Sequence, residues 1–76
     1  MLPRVDAVRK QLGLNLRRHR HAAGLSQERL AELCDLDRTE ISLLERGCYY
    51  PRLDTLVMLA RGLELGSPSE LLDGIH

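Results

Sequence analysis

Residues 26–47 read SQERLAELCDLDRTEISLLERG, from Ser26 to Gly47. The spacing predicts two short helices joined by a tight turn. In the first, Ser26 is the N-cap, Leu30, Leu33 and Cys34 point inward, and the small Ala31 leaves room for a crossing helix. Arg29 stands where a capping box would place Glu, but Glu28 in the first turn suits the helix dipole. The turn Asp35-Leu36-Asp37 contains no glycine. Asp35 is the residue best able to take a left-handed conformation there, and Leu36 is placed to plug the space beneath the turn. Asp37 caps the second helix. Ile41 and Leu44, three apart, define its buried stripe, which leaves Arg38, Thr39, Ser42, Leu43 and Arg46 at or near the opposite side. A helix laid across another with its outer face free has the geometry that enters a DNA major groove.

Upstream, residues 1–4 are expected to be a loose terminus. Val5, Val8, Leu12 and Leu16 then step by three or four, predicting an amphipathic helix with Arg9, Lys10, Arg17 and Arg18 on its wetter faces. Gly13 costs that helix about 1 kcal/mol relative to Ala unless a neighbour must approach closely. Gly24 is its natural C-cap. Downstream, Gly47 ends the second helix of the pair, and Cys48 to Arg52 form a loop containing Pro51. A fourth helix is predicted from Arg52 or Leu53, with Leu56, Leu59, Ala60 and Leu63 inward, running until Gly66. Ser67-Pro68-Ser69-Glu70 combines an N-cap Ser, Pro at N1 and a capping-box Glu, so a short fifth helix should run to about Asp73. The expected fold is all-α, a compact arrangement of five helices in one domain spanning residues 1–76.

The 76 residues include no Trp or Phe, and Tyr49 and Tyr50 are the two aromatics. A core of Leu, Ile, Val, Ala and Met agrees with an all-helical chain without strands. A domain of this size buries only about 60% of the surface its unfolded chain exposes, so association with a second copy would add useful burial. Net charge is zero, but it is unevenly placed. Residues 1–27 hold six basic side chains and one acidic, leaving +5, whereas residues 28–76 hold five basic and ten acidic, leaving −5. For a DNA reader this predicts weak non-specific binding and reliance on specific contacts, because few counterions are released.

Other functions find little support. Cys34 falls on an inward helical position and Cys48 in an exposed loop, and an exposed free thiol fits a reducing compartment. No apolar run approaches the roughly 18 residues that span a membrane, and no signal-peptide pattern opens the chain, so a cytoplasmic location is expected. His19 and His21 project to different faces of a helix, and neither joins Cys34, Cys48 or His76 in a metal-ligand set. There is no nucleophile elbow, phosphate loop or paired-acid cleft. No catalytic residue, cofactor, metal or small-molecule ligand is expected.

The run Leu12-Gly13, Leu16-Arg17, Arg20, Gly24-Leu25-Ser26-Gln27, Leu30-Ala31, Ile41-Ser42, Glu45-Arg46-Gly47, Pro51, Leu56, Ala60 and Leu63 resembles the phage-repressor (Cro/C1-type, XRE) helix-turn-helix family over about residues 12–72. Within it, LDRT-x-IS followed by ERG is similar to the controller proteins of restriction-modification systems. The resemblance implies a lambda-repressor-like five-helix fold, operator DNA as ligand and a homodimer built largely from the C-terminal helices. It also implies an ion pair between Arg20 on the first helix and Glu45 near the end of the recognition helix. The residues agree. Glu45 lies about 40° round the helix from Ile41, where an unpaired carboxylate is costly.

The candidate base-contacting residues are Arg38, Thr39, Ser42 and Leu43. Arg38 has the reach to fork onto guanine O6 and N7, Thr39 to meet a thymine methyl or a phosphate, and Ser42 a base or a phosphate; Leu43 offers apolar contact. Arg38 has an alternative role, solvated or paired with Glu40 or Asp37. Ser26 and Gln27, beside the free N–H groups of a helix start, are candidates for phosphate, as are Arg46, Tyr49, Tyr50 and Arg52 around the following loop. Gln27 has the alternative of being simply solvated, and Tyr49 and Tyr50 that of packing on the domain. Met58, Leu65, Leu71, Leu72 and Ile75 are the candidate dimer residues. The sequence thus predicts a homodimeric, sequence-specific transcriptional regulator that binds a roughly palindromic operator. Asp37 and Glu40 repel phosphate, however, and together with the neutral net charge they keep open a protein-interaction module on the same fold, such as an antitoxin or adaptor.

Overall fold

The computed structural model describes residues 5–75. The terminus at residues 1–4, the side chain of Val5 and His76 lie outside the described residues. Four α-helices follow one another: α1 (Val5–Ala22), α2 (Gln27–Cys34), α3 (Arg38–Glu45) and α4 (Leu53–Gly62). A 3-10 helix, Pro68–Leu72, closes the described chain, and no strand occurs among the described residues. α1 packs on α3 and on the 3-10 helix, α2 on α3 and α4, and α4 on the 3-10 helix.

The helix boundaries come from local chemistry. Ser26 Oγ accepts the Arg29 N–H at 3.0 Å, which starts α2. Asp35 takes the left-handed conformation, φ 55°, that a glycine would otherwise supply, and turns the chain toward α3. Asp37 holds the N-cap backbone geometry of α3, but its side chain makes no capping bond. α4 stops at Gly62, short of Gly66. Glu64 swings to φ 57°, and the Leu65 N–H returns to the Ala60 carbonyl at 2.8 Å, completing the exit before Gly66 is reached.

The expected fifth α-helix is a 3-10 helix, although its start is as predicted. Ser67 Oγ accepts the Ser69 N–H at 3.2 Å, and Glu70 Oε2 accepts the N–H groups of Gly66 and Ser67 at 2.7 and 3.2 Å. Five residues make little more than one turn, and that turn closes by i to i+3 bonding, with the Glu70 N–H on the Ser67 carbonyl at 3.1 Å, too short a run for α-helical propagation to favour the wider turn. Asn15 on α1 fixes its end: its Nδ2 donates to the carbonyls of Leu71 and Asp73 at 2.9 and 2.7 Å.

Leu12 and Leu16 of α1, Leu30, Ala31 and Cys34 of α2, Ile41 and Leu44 of α3, and Leu59, Ala60 and Leu63 from the α4 region form the core with Leu71. Two assignments need correction, one inward and one outward. Leu33 is 46% exposed, because the buried stripe of α2 centres between Leu30 and Ala31 and leaves Leu33 on its flank. Leu71, expected at a dimer surface, is fully buried on the inner side of the 3-10 helix. Gly13 lies where α1 meets the end of α3. A Cβ there would stand 2.5 Å from the Glu45 carbonyl oxygen and 2.6 Å from that of Leu44, so the helices approach this closely only because the residue is glycine.

Candidate nucleic-acid interface

The outer face of α3 is held in place by one carboxylate. Glu45 receives Arg20 Nε at Oε2 (2.6 Å) and Arg20 Nη2 at Oε1 (3.0 Å). Gln27 Nε2 also donates to Oε1, at 3.1 Å. The Arg20 and Glu45 side chains are 11% and 5% exposed, and Arg20 Nη1 goes on to the Leu25 carbonyl at 2.9 Å. One buried fork therefore joins the end of α3 to α1 and to the start of α2. Removing either partner strands a buried charge, at a cost of about 3–5 kcal/mol.

Ile41 and Leu44 are buried, which turns Arg38, Thr39 and Arg46 to solvent, with Ser42 and Leu43 half-buried between them. Arg38 is paired, but with neither Asp37 nor Glu40: its Nε lies 3.2 Å from Glu28 Oε1 on the first turn of α2. Glu40 is engaged by the Tyr49 hydroxyl. Burial, then the charge of Glu40, then the hydrogen bond to it push the Tyr49 phenol up to about 12. The Tyr50 ring lies under the Arg9 guanidinium of α1, 5.7 Å from its centroid. Tyr49 is half-buried against the domain, whereas Tyr50 keeps 46% of its surface exposed beside Arg9. Arg46 is exposed at the C-cap of α3, and Arg52 is exposed beyond the loop with Asp54 at 3.5 Å.

Arg38, Thr39, Ser42, Leu43 and Arg46 thus share one surface, with Ser26 and Gln27 beside it at the start of α2. Such a surface presents a long forked donor, two hydroxyls and a cation from a convex helix, which suits a groove floor and its phosphate walls. Sequence reasoning missed Glu28 and Asn15. Nothing in local spacing links Glu28 to Arg38, because the turn brings them together. Asn15 did leave a signal, a polar residue between Leu12 and Leu16 on the apolar stripe of α1.

A family model described as a helix-turn-helix domain matches residues 11–73. The chain belongs to the helix-turn-helix domain family. Its helix-turn-helix is α2 and α3, joined through Asp35, Leu36 and Asp37. Control protein C.SmaI of Serratia marcescens is 39% identical over 64 residues, covering 84% of this chain and 76% of that protein. Control protein C.BamHI of Bacillus amyloliquefaciens is 43% identical over 51 residues, 67% of this chain and 62% of the relative. Among solved structures, the restriction-modification controller protein C.AhdI from Aeromonas hydrophila superposes with a TM-score of 0.82 at 42% identity, covering 86% of this chain and 97% of that one.

Away from the helix-turn-helix, Met58, Leu65 and Ile75 are partly buried against the core, and Leu72 is 41% exposed. No cluster of three or more potential metal ligands occurs among the described residues. No helix among them is long and apolar enough to cross a membrane.

Proposed function

We propose that this chain is a sequence-specific DNA-binding transcriptional regulator of the controller type, acting as a homodimer in the cytoplasm through a single domain spanning residues 1–76. α3 is its recognition helix. The observation that carries this reading is the buried Arg20–Glu45–Gln27 fork, which fixes α3 while its Arg38, Thr39, Ser42 and Arg46 side remains toward solvent. A recognition helix must be rigid before it meets its bases, since ordering it during binding would reduce affinity. Arg38 takes guanine O6 and N7, Thr39 and Ser42 contact neighbouring base edges or phosphates, and Leu43 offers apolar contact at the side of the groove.

Phosphate anchoring falls to Ser26 and Gln27 on one side and to Arg46 and Arg52 on the other. Tyr49 and Tyr50 lie in the loop between those two cations, where their hydroxyls are further candidates for phosphate. Leu72, with the partly buried Met58, Leu65 and Ile75, supplies the apolar residues that meet a second copy. Two-fold pairing through it sets two α3 helices in successive major grooves, about one helical turn (~34 Å) apart, and so selects a roughly palindromic operator.

Selection of bound sequences from random duplex DNA by the purified protein tests the reading. The expected product is an enriched site with two-fold-related halves. Recovery of no enriched site would instead favour a protein-interaction module on this fold.

A further inference from the structure

We infer that Glu28 is a specificity-determining residue of the DNA interface, acting through Arg38 rather than by touching a base. This rests on the proposed DNA-reading role of α3. Three carboxylates of α2 and α3 are used differently: Glu40 is engaged by Tyr49. Glu45 is buried and serves structure, whereas the Glu28–Arg38 pair is open to solvent, with side chains 69% and 62% exposed and Nε 3.2 Å from Oε1. Glu28 immediately follows Gln27, whose amide is already committed to Glu45. The first turn of α2 therefore holds both ends of α3: Arg38 at the start through Glu28, and Glu45 at the end through Gln27.

An exposed pair of this kind adds little to folding, and its effect falls on binding. Paired with Glu28, Arg38 presents no net charge to a phosphate. On non-operator DNA it can act only as a phosphate-seeking cation, and there Glu28 competes for it and also repels the backbone. On the operator, guanine offers two acceptors in a fork that matches the guanidinium, which compensates for the lost carboxylate contact. Glu28 thus penalises the unspecific use of Arg38 more than the specific use. In a chain of zero net charge, it keeps Arg38 from adding to the non-specific binding supplied by the phosphate cations.

The test uses the duplex obtained by selection, a scrambled duplex of the same composition and four proteins: wild type, Glu28→Gln, Arg38→Ala and the double variant. Affinities are measured over a salt series. In Glu28→Gln the scrambled duplex should bind more tightly, with a salt slope steeper by about 0.9 per protomer bound, and the ratio of selected to scrambled affinity should fall about two- to fivefold. With Arg38→Ala already in place, Glu28→Gln should leave that ratio unchanged. Equal gains on both duplexes in the wild-type background, or the same fall in ratio without Arg38, would overturn the inference. If selection yields no site at all, the DNA-reading role fails rather than the part assigned to Glu28.

Discussion

Three donors converge on Glu45, two from Arg20 and one from Gln27, inside a protein with no charge to spare. Arg20→Ala should lose about 3–5 kcal/mol in urea unfolding, because the carboxylate stays buried without its partner. Joint replacement by Arg20→Met and Glu45→Leu should recover much of that loss, since apolar groups of similar volume need no desolvation. Tyr49 gives a pH-dependent test. Its phenol is raised to about 12 by burial, followed by the charge and hydrogen bond of Glu40. The folded state thus favours the neutral form. Its contribution should be constant below pH 10, the unfolded value, and be lost as pH rises from there through about 12. Tyr49→Phe should consequently lose less stability than wild type between pH 8 and pH 11 in paired urea titrations. Both side chains were read from sequence with different success. Glu45 was legible because a carboxylate near a buried helical stripe demands a partner. The engagement of Tyr49 with Glu40 was not, because a loop residue carries no periodicity to fix its direction.

At the scale of elements, the helix starts and the buried stripes were legible because capping chemistry and 3.6-residue spacing act locally. Ser26, Asp35 and Gly24 all stand where those rules place them. The misreadings arose where a distant residue decided the outcome. Asn15 reaches across to the carbonyls of Leu71 and Asp73, 56 and 58 residues away in sequence, and ties the last segment to α1 with Leu71 turned inward. Leu33 looked inward by spacing alone, but the buried stripe of α2 runs through Leu30, Ala31 and Cys34. Two substitutions test the element-level account. Gly13→Ala improves intrinsic helix propensity by about 1 kcal/mol, yet should destabilise the protein by about 1–3 kcal/mol net, since the new methyl meets the backbone of α3. Asp35→Gly should stabilise it by about 0.5–1 kcal/mol in thermal or urea unfolding, by relieving the left-handed conformation at the end of α2.

At the scale of the whole molecule, zero net charge and a divided charge pattern constrain how DNA can be held. With Arg46 and Arg52 as the main phosphate cations, a dimer should show a shallow dependence of log affinity on log salt, with a slope of about −4. Filter-binding or fluorescence titrations at several salt concentrations on the selected duplex would measure it. Discrimination must then come from the face of α3, and above all from Arg38. The most direct test is a base-by-base binding profile of the selected duplex with wild type and with Arg38→Ala. The account predicts that Arg38→Ala weakens binding by about 5- to 150-fold for each half-site engaged and loses its preference at one base position in each half-site, while the other positions keep theirs. An unchanged profile, with affinity reduced equally on every sequence, would contradict it.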